Sequence, residues 1–376
     1  MVYVQYANPA AYPPLQHSAS ILASAGWQVD LLGITQPRVA GLEFSVHSRI
    51  SVRLLPPSTA GWRQKVHYLR FCLWTLSEIR RRGPVWVYAS DTLSAPVAFV
   101  ASFIPSVRLL YHEHDAPDEQ NRSQFMRLLL SLRRRVLERA RIVVVPNAER
   151  GRALCEAGTD VHRLFCVWNC PEHDEASTTP RPEAGDGFSI IYHGSIVPAR
   201  LPESVVRALA TLPNVRLRIR GYETAGHENY VDRLRDIARS LGIESRLDIK
   251  LLVPTRTALF EDVRASDLGL ALMPSESVDI NERNMSGASN KAFEYLAQGV
   301  PLLVSDLPDW CEMFVRGGVA RACRPEDPSS VATAITWFAE HKTEARVMGE
   351  SGRQMILAKW NYEQQFEPVL RRMSAA

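Results

Sequence analysis

Short apolar runs alternate with helix-like segments along this chain, and this alternation constrains the fold more than any other feature. The first series of apolar runs lies at 2–6, 27–34, 51–55, 85–89, 108–111 and 142–145. Strands that are apolar along their whole length are typical of a parallel sheet covered by helices on both faces. Strands in alternation with helices indicate the α/β class, with a parallel sheet at the centre.

The alternation is interrupted by a segment rich in Pro, Gly, Ser and Thr at 176–187. A segment of this composition without apolar periodicity is typical of a linker. A second series of strand-like runs follows at 189–193, 216–220, 247–252, 268–273 and 301–305. The chain has 376 residues, which is enough for about two such domains.

The sequence therefore predicts two doubly wound, Rossmann-like α/β domains that face each other across a cleft. Residues 1–175 are expected to form the N-terminal domain and residues 188–355 the C-terminal domain. A last helix within 356–376 is expected to return to the N-terminal domain. Ligands bind beyond the carboxyl ends of the strands in such sheets, so the cleft is the expected site.

The two halves of the chain differ in charge. Residues 1–150 carry 18 Lys and Arg against 10 Asp and Glu, whereas the remainder carries 26 against 31. A basic half suits an anionic partner such as a membrane surface or a phosphorylated molecule, although a solvated basic face is an equal alternative. No nucleic-acid-binding module is recognisable, so nucleic acid is not an expected partner.

Two predicted helices, at 62–82 and 122–141, carry much of this basic charge. The first is amphipathic, with basic residues opposite an apolar stripe. The residues of that stripe are Val66, Leu69, Leu73, Leu76 and Ile79. Both helices are therefore candidates for peripheral docking on an anionic membrane.

The sequence contains no apolar run of about 18 residues or more, and its start lacks the basic, apolar and small-residue order of a signal peptide. Its six cysteines form no recognisable disulfide framework, and the spacing of Cys166 and Cys170 fits neither a zinc site nor a redox pair. We therefore expect a protein with reduced thiols that lies in the cytoplasm, either in solution or at the inner face of the plasma membrane.

Small residues at 286–289 precede a helix-like stretch in the second half. A helix N-terminus offers free N–H groups to phosphate, and small residues let the backbone approach it closely. Lys291 lies in the first turn, where it can add positive charge. Glu294 lies one turn further, where its carboxylate can accept hydrogen bonds from a ribose diol. A solvated helix face is the alternative interpretation of both residues.

Three segments of the second half, at 192–213, 254–275 and 288–308, resemble the retaining glycosyltransferases of family 4. The most specific of them reads ASNKAFEYLAQGVPLLVSDLP. The resemblance covers most of 188–310 and extends to the first half only in outline. It implies the GT-B fold, a C-terminal domain that binds a nucleoside-diphosphate sugar, and an N-terminal domain on the acceptor side.

The resemblance assigns catalytic roles to three residues. It implies that Glu294 binds the ribose and that Arg200 binds the diphosphate, in place of the usual lysine. It also implies that His114 contacts the donor sugar as a polar group and not as a nucleophile, with His112 as the alternative. The catalytic set expected from the resemblance is thus Arg200, Glu294 and His114.

Two positions depart from the family pattern. Ser195 stands where the family usually has an arginine, so the expected clamp on the diphosphate is weaker. Ser286 stands where the family usually has a glutamate that contacts the sugar, and Glu282 or Asn284 are candidate substitutes. The base is expected to contact the backbone near Val253. The expected donor-binding residues are Gly194, Ser195, Val253, Ser286, Gly287, Ser289, Asn290 and Lys291.

The resemblance also implies transfer with retention by front-face attack, with the departing phosphate taking the proton of the acceptor. No metal and no cofactor are expected beyond the nucleoside-diphosphate sugar, which is a substrate. The run His112-Glu113-His114-Asp115 contains metal-ligand residue types. Alternate residues on a strand point to opposite faces, however, so only two of the four converge and we expect no metal there.

The acceptor is expected to be a saccharide, a lipid-linked compound or another hydroxyl compound, in the assembly of a polysaccharide or glycolipid. Two other functions stay open. A nucleotide-sugar epimerase or hydrolase on the same fold would consume the donor without an acceptor. A non-catalytic subunit would bind a nucleotide sugar and consume none.

Overall fold

The computed structural model describes the chain except for residues 37–41, 43, 45, 60, 118–122, 180, 182–186, 225, 252, 254 and 376. The chain divides into two compact units. The first unit comprises Met1–Asn169 and Tyr362–Ala376, and the second comprises Cys170–Asn361. The predicted linker at 176–187 lies partly outside the described residues. Of its described part, Ser177 donates a hydrogen bond to the carbonyl of Ala297 (2.9 Å), within the second unit.

The first unit is built on a parallel sheet that contains seven strands among the described residues. Their order across the sheet is β3-β2-β1-β4-β5-β6-β7. The strands are β1 (Val2–Val4), β2 (Val29–Ile34), β3 (Ile50–Leu55), β4 (Trp86–Ser90), β5 (Arg108–His112), β6 (Ile142–Val145) and β7 (Leu164–Cys166).

The second unit has a six-stranded parallel sheet, counted over the described residues, with the order β10-β9-β8-β11-β12-β13. Its strands are β8 (Phe188–Ile196), β9 (Val215–Glu223), β10 (Leu247–Leu251), β11 (Leu268–Ala271), β12 (Leu302–Ser305) and β13 (Ala320–Cys323). In each sheet the strand order runs outward in both directions from the first strand of the unit, β1 or β8, as in doubly wound sheets. The predicted α/β class with two doubly wound sheets is therefore confirmed, and only β7 and β13 were not predicted.

Helices connect the strands in both units. In chain order they are α1 (Pro13–Ser24), α2 (Trp62–Arg82), α3 (Ala95–Ala101), α4 (Gln124–Arg139), α5 (Ala148–Glu156), α6 (Glu203–Leu209), α7 (Tyr230–Ser240), α8 (Arg256–Arg264), α9 (Ile280–Arg283), α10 (Asn290–Ala297), α11 (Pro308–Trp310), α12 (Pro328–Glu340), α13 (Lys342–Ala358) and α14 (Tyr362–Ser374). Within the part of the chain that the structure describes, no helix has the length and apolar character needed to cross a membrane.

The sheet of the first unit is covered by apolar side chains on both faces. One face packs against α1 and the C-terminal helix α14, whose Tyr362 and Phe366 are fully buried beside Tyr3 and Tyr88. The other face packs against α2, α3 and α4. Helix α13 ends before α14 begins. The side chain of Asn361, between the two helices, donates hydrogen bonds to the carbonyls of Ile356 and Leu357 at the end of α13.

Helix α2 has the predicted bounds, but the residues of the predicted apolar stripe do not share one environment. Val66, Leu69 and Leu73 are 56%, 60% and 61% exposed. Ile79 is buried, and it lies on a different side of the helix together with the aromatic ring of Phe71. At about 100° per residue, α2 therefore has two apolar sides. The sheet takes the aromatic side, because large rings bury more apolar area than aliphatic side chains do.

Candidate functional site

A close approach of two strands shapes the carboxyl end of the sheet in the second unit. Gly194 on β8 pairs with Gly221 on β9. The φ of Gly194 is 106°, a conformation that favours glycine. A Cβ on Gly221 would lie 1.9 Å from the carbonyl oxygen of Gly194, so no larger residue fits there. A Cβ on Gly194 would lie 3.7 Å from the Nζ atom of Lys291. The expected donor-binding residues Gly194 and Lys291 are thus brought together.

Lys291 is buried at this point and packs against Tyr192. Its Nζ atom lies 4.6 Å from the centre of the Tyr192 ring and donates a hydrogen bond to the tyrosine hydroxyl (3.3 Å). Burial and the nearby charge of Arg200 hold the pKa of Lys291 well below its ordinary value. A buried ammonium group of this kind becomes more favourable when an anion binds beside it.

Arg200 and Ser195 stand where the family usually has a lysine and an arginine, and a hydrogen bond joins their side chains. The guanidinium Nη1 of Arg200 donates to the hydroxyl of Ser195 at 2.9 Å. The hydroxyl of Tyr192 donates to the carbonyl of Ser195, which fixes this turn after β8. Arg200 and Lys291 therefore bring two basic side chains close to each other at the end of the strand, whereas Ser195 contributes no charge.

The turn before α10 uses some of the backbone donors that were expected to bind phosphate. Gly287 has a φ of 78°, and the amide groups of Ala288 and Ser289 both donate to the carbonyl of Met285. The turn itself uses the N–H of Ser289, and the contact of Ser289 with the donor stays a prediction. The N–H groups of the first turn, which starts at Asn290, have no partner within an α-helix and remain the donors of this helix N-terminus.

Glu294 lies at the centre of a buried ion network. Its Oε1 atom accepts from the Nη1 of Arg256 (2.9 Å), and the Nε of Arg256 donates to Glu175 (2.5 Å). Burial disfavours the charge of Arg256, but the carboxylates of Glu294 and Glu175 outweigh this effect and raise its pKa. Glu294 is therefore oriented by a partner that lies 38 residues earlier in the chain.

His193 lies on the other side of the same carboxylate. Its Nε2 atom is 3.4 Å from Oε2 of Glu294, but it has no hydrogen-bond partner among the described residues. Burial lowers the pKa of His193 to about 4, so the imidazole is neutral near neutral pH. The contact is consequently not a salt bridge, and one edge of the imidazole stays available for a polar ligand.

The other residues predicted to bind the donor lie at separate positions in the second unit. Ser286 lies in the half-buried turn before α10, beside Gly287. Glu282 accepts from the hydroxyl of Ser277 (2.6 Å), and Asn284 donates to the carbonyl of Ile280 (3.3 Å), so both candidate substitutes are engaged locally. Val253 is half-buried, and its neighbours at 252 and 254 lie outside the described residues.

His114 follows β5 in the first unit. Its backbone N–H donates to Oδ1 of Asp91 (2.8 Å), and its ring lies 3.8 Å from that of His112. Burial lowers the pKa of His114 to about 3, which leaves the imidazole neutral. Glu113 points away and pairs with Arg133 through both carboxylate oxygens (2.5 and 2.7 Å). Over the described residues, no group of three or more His, Cys, Asp or Glu is arranged to hold a metal ion.

Two protein families match this chain, one over most of the first unit and the other over most of the second unit and part of α14. The family described as "Glycosyl transferase 4-like domain" matches residues 15–170, and that described as "Glycosyl transferase-like" matches residues 200–371. Together the two matches run through both parallel sheets. The chain is a glycosyltransferase with the GT-B fold.

Solved structures share the fold of this glycosyltransferase over its whole length. HepE from Anabaena, solved with UDP and glucose, is 16% identical with a TM-score of 0.75, over 100% of this chain and 99% of that one. Sucrose-phosphate synthase from Thermosynechococcus elongatus is 17% identical with a TM-score of 0.72, over the same shares. A UDP-forming α,α-trehalose-phosphate synthase from Burkholderia vietnamiensis is 13% identical, with a TM-score of 0.67 and again the same shares. No curated protein matches the sequence.

The contacts around Glu294 involve residues that the sequence analysis did not select, namely Arg256, Glu175 and His193. Arg256 carried a signal that was overlooked. It is the first residue of α8, after the N-cap Thr255. A cation at a helix N-terminus is disfavoured by the helix dipole, so its presence there indicates a carboxylate partner elsewhere.

We expect Arg256→Met to lower the free energy of unfolding by about 3 kcal/mol, because it leaves Glu294 buried without its cation. The matched control is Arg316→Met. The side chain of Arg316 is 77% exposed in its pair with Glu312, and we expect a change within about 0.5 kcal/mol. Urea unfolding measures both values, and equal losses in the two variants would contradict the central place of Arg256.

Proposed function

We propose that this glycosyltransferase moves a sugar from a nucleoside-diphosphate sugar to a hydroxyl acceptor, with retention and without a metal. The observation that carries the proposal is the pair of cations, Arg200 and Lys291, beside the N-terminus of α10. Two basic side chains and the N–H groups of a helix N-terminus suit a diphosphate. HepE, which has the same fold, was solved with UDP and with UDP-glucose.

Glu294 would bind the ribose hydroxyls of the donor. A carboxylate has several acceptor positions, and Arg256 occupies only part of them. The oxygen that faces His193 forms no hydrogen bond with it, since the contact distance is 3.4 Å and the imidazole Nε2 is unpartnered. The network thus holds the carboxylate in place and leaves it able to accept from a diol, as acidic residues do in other nucleotide-binding folds.

The chemical step would proceed at the anomeric carbon of the donor sugar. The bond from that carbon to the diphosphate oxygen breaks, and the acceptor oxygen attacks from the same face. The proton of the acceptor hydroxyl passes to the oxygen of the departing phosphate, so no protein nucleophile is needed. Arg200, Lys291 and α10 would stabilise the charge that develops on the leaving group. Ser286, Gly287 and Asn290 line the turn where the donor sugar would lie.

Glu294→Ala and Arg200→Ala are each expected to lower kcat/KM for the donor by about a hundredfold or more, because each removes a charged contact to the bound nucleotide. The control is Arg207→Ala on α6, whose side chain is 47% exposed and pairs with Glu203. Time courses by NMR with donor alone and with acceptor also separate transfer from hydrolysis or epimerisation. Near-normal turnover in both site variants would overturn the assigned site.

Lys291 gives the proposal a pH signature. A bound diphosphate favours the charged ammonium, so it raises the lowered pKa of Lys291 and a proton is taken up on binding. Donor affinity then falls as the pH rises between the pKa values of the free and bound states. Calorimetry with a nucleoside diphosphate, in two buffers of different ionisation enthalpy, detects the uptake. At about pH 8 the terminal phosphate of this ligand is already ionised and takes up no proton itself. We expect Lys291→Met to abolish it; equal enthalpies for the unaltered protein would refute the signature.

We also propose that the acceptor is presented at an anionic membrane, which α2 contacts. Trp62, Val66, Leu69 and Leu73 form an outward apolar stripe, and Trp62 is 70% exposed. The exposed cations Arg63 and Arg70 flank it on one side and Lys65 on the other. A helix with an apolar stripe between rows of cations is suited to lie in an anionic lipid interface.

The rest of α2 supports the same partner. Its single acidic residue, Glu78, lies away from the stripe and binds Arg81 and Arg82. An apolar cavity of about 460 Å³ opens at the first turn, lined by Tyr6, Trp62 and other aromatic side chains. A cavity of this size and lining suits the hydrocarbon part of a lipid-linked acceptor.

A triple variant in which Val66, Leu69 and Leu73 become Ser is expected to lose vesicle binding by about tenfold or more, because apolar area is lost from the interface. Flotation with vesicles of anionic and of zwitterionic lipid measures the bound fraction. The control is Val347→Ser with Val278→Ser, two exposed valines of the second unit. If the unaltered protein stays in the unbound fraction to the same extent with both lipids, membrane contact is refuted.

A further inference from the structure

A cavity at the amino ends of the strands in the first unit is lined by basic side chains. Its volume is about 580 Å³, within the range of small-molecule sites. Arg108 is the first residue of β5, and Arg141 directly precedes β6. Arg139, the last residue of α4, and its neighbour Glu138 complete the charged lining. Substrates of doubly wound folds bind at the carboxyl ends of the strands, so this cavity is separate from the substrate edge.

The helix ends beside the cavity do not account for all of these cations. Arginines near a helix C-terminus commonly neutralise its last carbonyls. At the end of α4, Arg163 donates to two backbone carbonyls (2.7 and 3.1 Å). At the end of α3, Arg139 donates to the hydroxyl and the carbonyl of Ser102 (2.7 and 3.2 Å). Both helix ends are thus already served, and neither uses Arg108 or Arg141.

The three guanidinium groups of the cavity differ in how they are held. Within the described residues, those of Arg108 and Arg141 have no hydrogen-bond or ion-pair partner. The guanidinium carbon of Arg139 lies 4.2 Å from the centre of the Phe103 ring, and its nitrogens bind Ser102. A guanidinium group that is stacked and hydrogen-bonded in this way is pre-organised for an anion. The cavity therefore combines one fixed cation with two that are available to a ligand.

The charge of the cavity indicates the class of ligand. Three arginines against the single carboxylate of Glu138 leave two net positive charges in the lining. A phosphate monoester carries a charge of about −1.5 to −2 at pH 7, which matches this excess, whereas a single carboxylate does not. Arginine also binds phosphate oxygens through two parallel N–H groups. The hydroxyl of Ser106, in the same lining, adds another donor.

We propose that Arg108, Arg139 and Arg141 bind a phosphate monoester in this cavity. The group belongs either to a soluble phosphorylated compound or to the headgroup of a lipid, since both present the same chemistry. The inference goes beyond the proposed sugar transfer and does not depend on it, because the cavity lies at the edge of the sheet opposite the substrate edge. A ligand bound there regulates or anchors the protein and is not consumed by it.

The test replaces Arg108 and Arg141 by Ala together in the full chain, and Arg141 by Ala alone as a milder change. The soluble probe is glycerol 3-phosphate, followed by calorimetry. The background carries Arg200→Ala and Lys291→Met, so that the proposed diphosphate site does not contribute. We expect the double replacement to weaken binding by about tenfold or more, because charge-assisted hydrogen bonds to the phosphate are lost, and the single replacement to lie between.

The matched control is Arg134→Ala with Arg152→Ala, two exposed arginines of the first unit that lie outside the cavity. It removes the same charge, so we expect it to keep the affinity for glycerol 3-phosphate. Equal weakening in the control would show unspecific attraction and would overturn the site. Arg108 and Arg141 have no partner within the described residues, so the double variant is expected to melt at the temperature of the unaltered protein when no phosphate is present.

A second arm separates the two sources of the phosphate group. Vesicles that contain phosphatidic acid carry the same phosphate monoester on a lipid, and flotation measures the bound fraction. The background here is the variant in which Val66, Leu69 and Leu73 become Ser, so that helix α2 does not contribute. Binding of the soluble probe assigns a soluble ligand, and binding to these vesicles alone assigns a lipid. If replacing Arg108 and Arg141 changes binding in neither arm, the inference fails and the proposed sugar transfer is unaffected.

Discussion

Two buried ionisable side chains on one helix turn, Lys291 and Glu294, set the electrostatics at the start of α10. A buried charge is costly unless an opposite charge or hydrogen bonds compensate it. Glu294 is compensated within the fold by Arg256. Lys291 contacts the ring and hydroxyl of Tyr192, and within the described residues it forms no ion pair with a carboxylate. The charge of Glu294 favours the ammonium form of Lys291, but burial and the charge of Arg200 outweigh it and keep the pKa of Lys291 well below its ordinary value.

The two sheets differ in the electrostatics of their carboxyl edges. The edge of the second unit gathers Arg200, Lys291 and a helix N-terminus, which together favour a doubly charged ligand. The edge of the first unit gathers neutral imidazoles and the carboxyl group of Asp91, whose pKa is raised by burial to about 7. Burial acts on both edges, but the partners differ: cations lie near one another in the second unit, and carboxyl groups do so in the first. The carboxyl edges of the two parallel sheets therefore differ in charge.

The sequence predicted most of the fold because apolar runs mark buried parallel strands. It missed β7 and β13, which are short: β7 has three residues, none fully buried, and β13 contains the exposed Arg321. It also did not separate the two apolar sides of α2, because aliphatic periodicity alone cannot do so. For the site, it selected Lys291 and Glu294 from local spacing together with the family resemblance. Arg256 acts through a partner 38 residues away, which local spacing does not show.

The serine at 195 shows how a departure from a family pattern can be compensated. The resemblance implies that an arginine is usual there, and its loss predicted a weaker clamp on the diphosphate. In the folded chain, Ser195 accepts a hydrogen bond from Arg200 and so orients the remaining cation. Lys291 supplies a second cation from α10, close enough for Arg200 to lower its pKa. The charge that the family pattern places at positions 195 and 200 is therefore divided between the turn after β8 and helix α10, and spacing along the sequence does not reveal this.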